Sequence, residues 1–555
     1  MTHVPIGPTG RPVRPTRGRR LRASLAAAAV VALAAACASN SAQSSTTSAR
    51  ELGTPVPGGT LVFAMQQEPY CINSHQGPQF AAQFITRTLA DSLIAQSPDG
   101  KSFEPWLATS WEATEDAKHY TFTLREDVTF HDGEKLNAAA VKANFDMFAD
   151  PAAKASGAAL FLGNFYESSE VLGEYQIRIN FSKGHASFLQ AASTPYLSIQ
   201  SPKTLATDGA CKGAVGSGPF TFESYTKQGS VKVKRNPDYN WGPPYAYHQG
   251  AAYLDGIEFR FVPEESTRTG SLTSGQVDAI DGASARQVDL LERQGFSLIR
   301  SDQPGQPWMG HLNTRDAPFN DVEVRRAFRE AIDFDGILQA LWGGKYLRSW
   351  GPITQFTPGY DPSVENLWKY DVDSANRRLD AAGWTGRDSE GFRTKDGQRL
   401  TVVWLSEPNE LREQRPDFVQ LVKEQVKKVG IDLDYVQVSA NDATARRAAG
   451  EFSVYAHSYV RAEPAQLDRI FHSRSNNISF TNNPQIDQWL EAAQATTDPA
   501  ARAAEYAKVQ QYVTDQAIVL PIYVQSQFVF FSAKVHGITT DATGWVQFYD
   551  AWKSA

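Results

Sequence analysis

The chain has 555 residues, which is too long for one compact core, so we expect two or three domains. It is 41% hydrophobic and 11% aromatic, the composition of an ordinary globular protein. Without its basic leader, 48 Lys and Arg stand against 61 Asp and Glu, a net charge of about −13. Such an acidic surface repels nucleic acid and anionic lipid headgroups, so neither is expected as a partner.

Residues 1–36 have the order of a secretory signal peptide. Six arginines and no acidic residue lie between Arg11 and Arg22, and an apolar run follows at 25–36. The run has 12 residues, whereas a helix that spans a bilayer needs about 20. We therefore expect residues 1–36 to be removed on export.

Residues 33–37 (LAAAC) resemble the lipobox of bacterial lipoproteins, in which the cysteine carries a diacylglycerol and becomes the mature N-terminus. The match departs from the usual pattern because Ala34 replaces a leucine three residues before Cys37. Cleavage with release of the protein is the alternative. The resemblance predicts lipidation of Cys37, localisation on the outer face of the cell membrane, and a flexible tether at 37–57.

Cys71 and Cys211 remain as an even pair when Cys37 is set aside. Disulfides persist in oxidising compartments, and both cysteines lie in polar segments with glycine nearby. Two buried free thiols are the alternative. We predict a disulfide between Cys71 and Cys211.

Strands and helices alternate after Gly58. Apolar spacing predicts strands at 60–64, 120–124 and 431–438. Capping residues and helical spacing predict four helices, which begin at Asn137, Asp321, Asp335 and Pro416. Gly343 and Gly430 are predicted to end the third and the fourth. This succession indicates α/β layers.

Several motifs occur in one order along most of the chain. They are 107–112 (LATSWE), 128–133 (VTFHDG), 215–220 (VGSGPF), 235–239 (RNPDY), 272–281 (LTSGQVDAID) and 318–327 (PFNDVEVRRA). Each motif alone is weak, but together and in this order they resemble the peptide/nickel/opine (family 5) solute-binding proteins of bacterial ABC importers.

The resemblance implies an α/β type II periplasmic-binding-protein fold of two lobes, joined by two hinge strands, with an extra inserted domain. The expected division is a central domain of lobe one from 58–84, 201–300 and 519–555, an inserted satellite domain at 85–200, and lobe two at 301–518. A ligand would be enclosed where the lobes meet.

The resemblance also implies which residues line the cleft. The candidate ligand-binding residues are Gln67, Glu68, Tyr70, Ser217, Trp308, Asn313, Trp404, His457, Tyr459 and Arg461. Trp404 lies in an alternating strand and could face either the cleft or the core. No catalytic residue, metal or cofactor is expected.

Arg461 is the departure that bears on the ligand. Peptide-binding members typically have an aspartate shortly after the aromatic residue, here Tyr459, and that aspartate pairs with the α-ammonium. Arg461 would favour an anionic or hydroxyl-rich ligand through bidentate hydrogen bonds. Two alternatives stay open: Arg461 pairs with Glu463 or Asp468 away from the ligand, or Glu463 replaces the missing acid.

The expected function is that of a monomeric solute-binding lipoprotein that delivers a peptide or peptide-like ligand to the permease and ATPase subunits of an ABC importer. The alternative is a receptor of the same fold that binds an anionic or glycoside ligand in a sensor or chaperone role. An enzyme is disfavoured because the sequence has no His-Glu-x-x-His, Gly-x-Ser-x-Gly, Walker or Cys-x-x-Cys motif.

We predict that Cys37→Ala leaves the membrane fraction and appears in the medium or as uncleaved precursor, because no thiol remains to be lipidated. Cell fractionation with immunoblotting measures this, and Ser39→Ala, which keeps the thiol, is the matched control. Identical membrane fractionation of wild type and Cys37→Ala would contradict lipidation.

Overall fold

The computed structural model describes residues 53–205, 211, 213–475 and 477–554. The predicted signal peptide and Cys37 lie outside the described residues. Within the described ranges, no helix combines the length and the apolar character needed to cross a membrane.

The first third of the described chain supplies one strand of a large sheet and a separate small sheet. Its elements are β1 (Thr60–Met65), α1 (Phe80–Leu89), β2 (Ile94–Gln96), β3 (Phe103–Pro105), β4 (Ala108–Ala113), β5 (His119–Leu124), α2 (Ala138–Ala149), α3 (Ser156–Leu162), β6 (Tyr166–Gly173), β7 (Gln176–Phe181), α4 (Phe188–Ala192) and α5 (Pro202–Leu205). The Asn137 side chain caps α2 by accepting a hydrogen bond from the Ala140 N–H, which confirms the predicted helix start. Strands β4, β5, β7 and β6 form a four-stranded antiparallel sheet in that order.

The middle of the chain completes the large sheet and begins a second one. Its elements are β8 (Phe220–Thr226), β9 (Ser230–Arg235), β10 (Gly256–Phe261), α6 (Glu265–Thr273), β11 (Ala279–Ile280), α7 (Ala285–Arg293), β12 (Ser297–Asp302) and β13 (Gly305–Leu312). All eight residues of β13 are buried, as expected for a strand covered on both faces.

The last part of the chain builds the second sheet with its helices and then returns to the first sheet. Its elements are α8 (Val322–Glu330), α9 (Phe334–Trp342), α10 (Val372–Ala381), β14 (Gly386–Arg387), β15 (Arg393–Lys395), β16 (Gln398–Arg399), β17 (Thr401–Ser406), α11 (Arg415–Lys427), β18 (Asp432–Gln437), α12 (Ala440–Ala449), β19 (Val454–Val460), α13 (Gln466–Phe471), α14 (Pro484–Gln494), α15 (Pro499–Asp515), β20 (Val519–Tyr523), β21 (Ser526–Phe531), β22 (Val535–His536), β23 (Thr539–Thr540), β24 (Val546–Gln547) and β25 (Trp552–Lys553).

Two helix starts in this part test the capping predictions. Asp321 caps α8 by accepting a hydrogen bond from the Glu323 N–H, as predicted. The start of α9 predicted at Asp335 lies one residue inside the helix, which begins at Phe334; Asp333 is the cap and accepts a hydrogen bond from the Gly336 N–H. Asp335 lies in the first turn, where an acidic side chain is also favourable, so its presence did not identify the cap.

Two mixed sheets form the cores of the two lobes. The seven-stranded sheet of lobe one has the order β12-β21-β11-β1-β10-β9-β8, with β1 parallel to both β10 and β11. The five-stranded sheet of lobe two has the order β18-β17-β19-β13-β20, with β17 parallel to β18 and β19. Helices supply the apolar layers against both sheets, which is an α/β architecture.

The chain passes between the two sheets twice, and these two connections form the hinge. The first joins β12 to β13 through Gln303 and Pro304, and the second joins β20 to β21 through Val524 and Gln525. The Gln303 N–H donates a hydrogen bond of 2.9 Å to the Gln525 carbonyl, so the two connections lie side by side. The domain boundaries at 301 and 519 stay predictions. The chain crosses between the sheets a few residues after each boundary, at 303–304 and at 524–525, because β20 still pairs with β13 in lobe two.

Gly305 at the start of β13 is required by the geometry of the hinge. Its φ is +101°, and an added Cβ would lie 2.5 Å from both the Arg461 nitrogen and the Tyr459 oxygen. A side chain here would therefore be strained and would push β13 and β19 apart.

Gly216 serves packing between backbones. An added Cβ would lie 2.3 Å from the Leu89 carbonyl at the end of α1. The His131 imidazole next to this turn pairs with the Gly218 carbonyl at 2.9 Å. The glycine-rich motif thus joins α1 to the sheet of lobe one.

The two ends of the described chain meet on lobe one. The Lys553 ammonium donates a hydrogen bond of 3.1 Å to the Thr60 carbonyl and pairs with the Asp278 carboxylate at 2.8 Å. The last strand, β25, therefore lies beside the first strand, β1.

Cys71 and Cys211 form the predicted disulfide, which joins the loop after β1 to the segment before β8. The Ile72 N–H donates to the Cys211 carbonyl at 3.1 Å, so the backbone holds the two segments together as well.

We predict that a form of the protein that starts after Cys37 has no reactive thiol under denaturing, non-reducing conditions. After reduction it should have two reactive thiols per chain. By the loop-entropy model, replacing both cysteines with alanine lowers the free energy of unfolding by about 4–5 kcal/mol. Thiol counting and urea denaturation measure the two effects. Two reactive thiols before reduction would disprove the disulfide.

Candidate functional site

A cavity of about 290 Å³ lies where the two lobes meet the hinge. Both lobes and both connections contribute to its wall. Lobe one contributes Gln66, Phe80, Arg268 and Trp545, lobe two contributes Tyr346, Arg412 and Glu413, and the hinge region contributes Gln303, Gln525 and Gln527. A cavity with this composition changes shape whenever the lobes move relative to each other.

The hinge side of the cavity carries buried amide groups without partners. The Gln303 and Gln527 side chains are 2% and 7% exposed. The Gln303 Nε2 and both amide atoms of Gln527 make no hydrogen bond with any described residue. Phe80 and Trp545 stack with their ring centres 5.1 Å apart and give the same cavity an apolar wall. Such a mixture of aromatic faces and a few polar groups is typical of small-molecule sites.

Two acidic residues, Glu265 and Glu413, lie in the cavity wall, and the charge of Glu413 is already compensated. Although burial raises the pKa of Glu413, the positive charges of Arg415 and Arg412 lower it to about 2. The Glu413 carboxylate accepts hydrogen bonds from the Tyr523 hydroxyl at 2.5 Å and from Arg415 at 3.0 Å. This carboxylate therefore braces the end of β20 beside the hinge.

A second polar region lies at the end of β19, directly against the hinge. The Arg461 N–H donates a hydrogen bond of 3.2 Å to the Pro304 carbonyl. The Arg461 side chain crosses to lobe one, where its Nε donates to the Gln190 Oε1 on α4 at 3.0 Å. Its guanidinium carbon lies 5.0 Å from the centre of the Phe161 ring on α3. Arg461 therefore lies between the lobes, with 9% of its surface exposed.

Arg469 on α13 lies against Tyr459, a residue of β19 two positions before Arg461. Its guanidinium carbon is 4.7 Å from the centre of the Tyr459 ring. The Arg461 Nη2, the Arg469 Nη1 and the Gln190 Nε2 are buried and make no hydrogen bond within the described chain. We call Gln190, Tyr459, Arg461 and Arg469 the arginine cluster.

The nearby acidic residues do not neutralise the arginine cluster. Glu463 is 4% exposed and pairs with Arg502 at 2.6 Å. Asp468 accepts hydrogen bonds from Tyr506 and Gln494. The alternative in which Arg461 pairs with Glu463 or Asp468 is therefore wrong, and Glu463 is not free to replace the missing aspartate.

Other contacts join the lobes on both sides of the cleft. The Gln96 Nε2 donates to the Ala462 carbonyl at 3.1 Å, and the Ala186 N–H donates to the Gln494 carbonyl at 3.2 Å. Lys345 pairs with Asp289 at 2.6 Å. The described conformation therefore has its lobes in contact.

Several predicted ligand-binding residues are held by protein contacts instead. Trp308 and Trp404 are each 1% exposed and lie in the core of lobe two, where the Trp308 indole donates to Glu410. The Asn313 amide donates to the carbonyls of Gly450 and Phe452. The Ser217 hydroxyl donates to Asp91 in the core of lobe one. Core packing accounts for these four residues.

The loop after β1 likewise makes local contacts. The Glu68 carboxylate accepts hydrogen bonds from the Tyr225 hydroxyl and the Gln228 N–H on the β8–β9 hairpin. Gln67 is half-buried, and Tyr70 is exposed at the edge of a separate open groove on lobe one. The prediction that these residues contact the ligand stays untested.

His457 belongs to a buried pair of imidazoles. Its ring stacks on that of His311 with centres 4.7 Å apart. Burial, and then the neighbouring His311 and the positive charges of arginines, lower the pKa of His457 well below its ordinary value. No group of three or more His, Cys, Asp or Glu side chains within the described ranges is arranged to hold a metal ion.

The sequence prediction missed most of the cavity wall. Phe80, Gln303, Gln527 and Trp545 come from four distant segments, and the cavity exists only where these segments meet. A signal for Arg469 is present in the sequence, because it is a second arginine only eight positions after Arg461.

Comparison with known proteins gives consistent results. Residues 102–477 match the family described as bacterial extracellular solute-binding proteins, family 5 Middle. A nickel-binding periplasmic protein of Escherichia coli K12 is 26% identical over 477 residues, covering 80% of this chain and 85% of that protein. The glutathione-binding protein GsiB of the same strain is 28% identical over 444 residues, covering 76% and 80%.

Solved structures show the same architecture. NikA from Brucella suis in complex with Fe(III)-EDTA is 25% identical, with a TM-score of 0.78 over 89% of this chain and 100% of that one. DppA from Helicobacter pylori in complex with the peptide STSA is 25% identical, with a TM-score of 0.73 over 90% and 98%. The two-lobed α/β fold predicted from the sequence is thereby confirmed.

We predict that Asp468 makes stability depend on pH. Burial raises its pKa from 3.8 to about 7, more than its hydrogen bonds lower it. Between these values the folded state keeps a proton that the unfolded state has lost, so the free energy of unfolding falls as the pH rises from about 4 to 7 and then levels. Asp468→Asn should remove about 1 kcal/mol of this fall, because an amide at this position does not titrate.

Urea denaturation at pH 5 and pH 8 measures this effect. Asp434→Asn, which changes an exposed carboxylate on β18, is the control and should follow the wild type. Equal pH dependence in all three proteins would contradict the role of Asp468.

Proposed function

The chain belongs to the family 5 bacterial extracellular solute-binding proteins, and from this we propose that it captures a small ligand between its lobes and delivers it to the permease of an ABC importer. One observation carries this proposal. The cavity at the hinge is walled by both lobes and both connections, and it contains the Gln303 Nε2 and the Gln527 amide, which have no partner among the described residues. A ligand bound there would contact both lobes, so its binding free energy would stabilise the closed conformation.

The polar groups of the cavity support a ligand that forms hydrogen bonds. A buried amide without a partner costs free energy, and a ligand that supplies the partner recovers it. The stacked rings of Phe80 and Trp545 would contact an apolar part of the same ligand. These features support a compact, partly polar solute of the size of a short peptide or a metal chelate.

The relatives bind ligands of this general kind. By their names and titles, one relative binds nickel and another binds glutathione, while solved neighbours hold Fe(III)-EDTA or a four-residue peptide. We propose a peptide-like or chelate-like solute for this chain as well. Peptide transport in the usual orientation is less well supported, because Glu463 is paired with Arg502.

We also propose that Cys37 anchors the protein to the outer face of the membrane. A lipid anchor with a tether of about 20 residues would keep the binding lobes near the permease and raise their effective concentration there. The sequence around Cys37 supports this, and the predicted disulfide fits an exported protein.

We predict that protein purified under native conditions from its own host carries a small molecule. Mass spectrometry of the compound released by denaturation identifies it, and calorimetry with that purified compound gives its Kd. Small-angle scattering should show a smaller radius of gyration when the compound is added to stripped protein, because the lobes close.

Gln527→Ala should weaken this binding about fivefold, since one buried hydrogen bond contributes about 1 kcal/mol. Gln398→Ala, in the exposed strand β16 away from the cavity, is the matched control. The proposal fails if wild-type protein releases no compound and its scattering is unchanged by any extract of the host.

A further inference from the structure

The arginine cluster carries positive charge that the protein itself does not balance. None of the ion pairs among the described residues includes Arg461 or Arg469, although most other buried arginines of lobe two have a carboxylate or several carbonyl partners. The nearest acidic residues along the chain, Glu463 and Asp468, are directed to Arg502, Tyr506 and Gln494.

An unpaired guanidinium between two lobes is energetically unfavourable. Removing a cation from water costs several kcal/mol unless an opposite charge or several acceptors replace the water. Among the described residues, the Arg461 guanidinium has one such acceptor, the Gln190 Oε1, and its Nη2 has none. The cluster therefore has capacity for at least one more acceptor.

Aromatic rings lie against both guanidinium groups, and the Arg461 Nη2 and the Arg469 Nη1 stay without a partner among the described residues. Phe161 lies against Arg461 at 5.0 Å, and Tyr459 lies against Arg469 at 4.7 Å. A ring stabilises a guanidinium through its face, which leaves the planar edge free for bidentate hydrogen bonds. Carboxylate oxygens match this edge in both charge and geometry.

The location connects the cluster to the hinge. The Arg461 backbone is bonded to Pro304, the residue after Gln303 in the cavity wall, and its side chain reaches Gln190 and Phe161 of lobe one. An anion held here would contact both lobes at once and would favour the closed conformation.

We propose that Arg461 and Arg469 bind a carboxylate of the transported solute, so that the substrates of this protein are small carboxylic acids. The inference rests on the proposed function of the cleft and names the chemical class of its ligand. The Gln190 Nε2 supplies a further donor to the same carboxylate from lobe one. A free ammonium is excluded from this position because it would face two like charges.

The test compares wild type with Arg461→Gln and Arg469→Gln, which remove the charge but keep a polar side chain. Each protein is purified natively from the host, and the compound released by wild type is identified and used as the probe in calorimetry. Arg474→Gln is the matched control, because Arg474 is exposed and paired with Glu491 outside the cluster. Circular dichroism and melting temperature show that each variant is folded.

The released compound should carry a carboxylate, and each cluster variant should bind it at least tenfold more weakly. The methyl ester of the compound should bind wild type about tenfold more weakly than the free acid does. Arg461→Gln should bind the ester only slightly more weakly than it binds the free acid. Arg474→Gln should bind like wild type.

Three outcomes overturn the inference. A released compound without an acidic group, or equal binding by wild type and both cluster variants, rejects the carboxylate while leaving a solute-binding function in place. A wild-type protein that carries and binds no compound rejects the proposed function and the inference together.

Discussion

The hydrogen bond between the Gln303 N–H and the Gln525 carbonyl holds together the two places where the chain changes sheets. Because the connections run side by side, the two lobes share one short axis about which they can close. Both polar regions of the cleft lie against this axis: the cavity through Gln303 and Gln527, and the arginine cluster through the bond of Arg461 to Pro304. Gly305 allows β13 to start at this point without a collision with β19.

Two ways of handling buried charge occur close to the hinge. Arg415 has two glutamates, the Tyr523 hydroxyl and a neighbouring Trp308 ring, so its charge is fully compensated and fixes the end of β20. Arg461 and Arg469 have aromatic neighbours and one amide, and no carboxylate of the described chain pairs with either. The first arrangement is structural, whereas the second has donors left for a group that the protein does not supply.

Local features of this fold were predictable from the sequence. Asn137 and Asp321 cap their helices as predicted, since capping depends only on residues a few positions away. The ordered motifs identified the two-lobed architecture. The start of α9 was misplaced by one residue because Asp333 and Asp335 are both acceptable near a helix N-terminus. The disulfide partners followed from counting, because the chain has three cysteines and only one pairing is left when Cys37 is set aside.

The candidate site was much less predictable. Trp308 and Asn313 have the chemistry of binding residues, but neighbouring groups from positions 410 and 450–452 complete their hydrogen bonds. Phe80 and Trp545 stack although 465 positions separate them along the chain. Contacts of this kind depend on the closed tertiary structure and leave no periodic signal in one sequence.

The meeting of β25 with β1 has a consequence for engineering. Since Lys553 is bonded to the Thr60 carbonyl, a short linker could join the two ends of the folded region, and new ends could be opened in an exposed loop of lobe two. A fluorescent protein inserted at those new ends would be attached to lobe two, whereas a fusion after β25 would be attached to lobe one. Circular permutation is thus the route from this fold to an optical sensor of its solute.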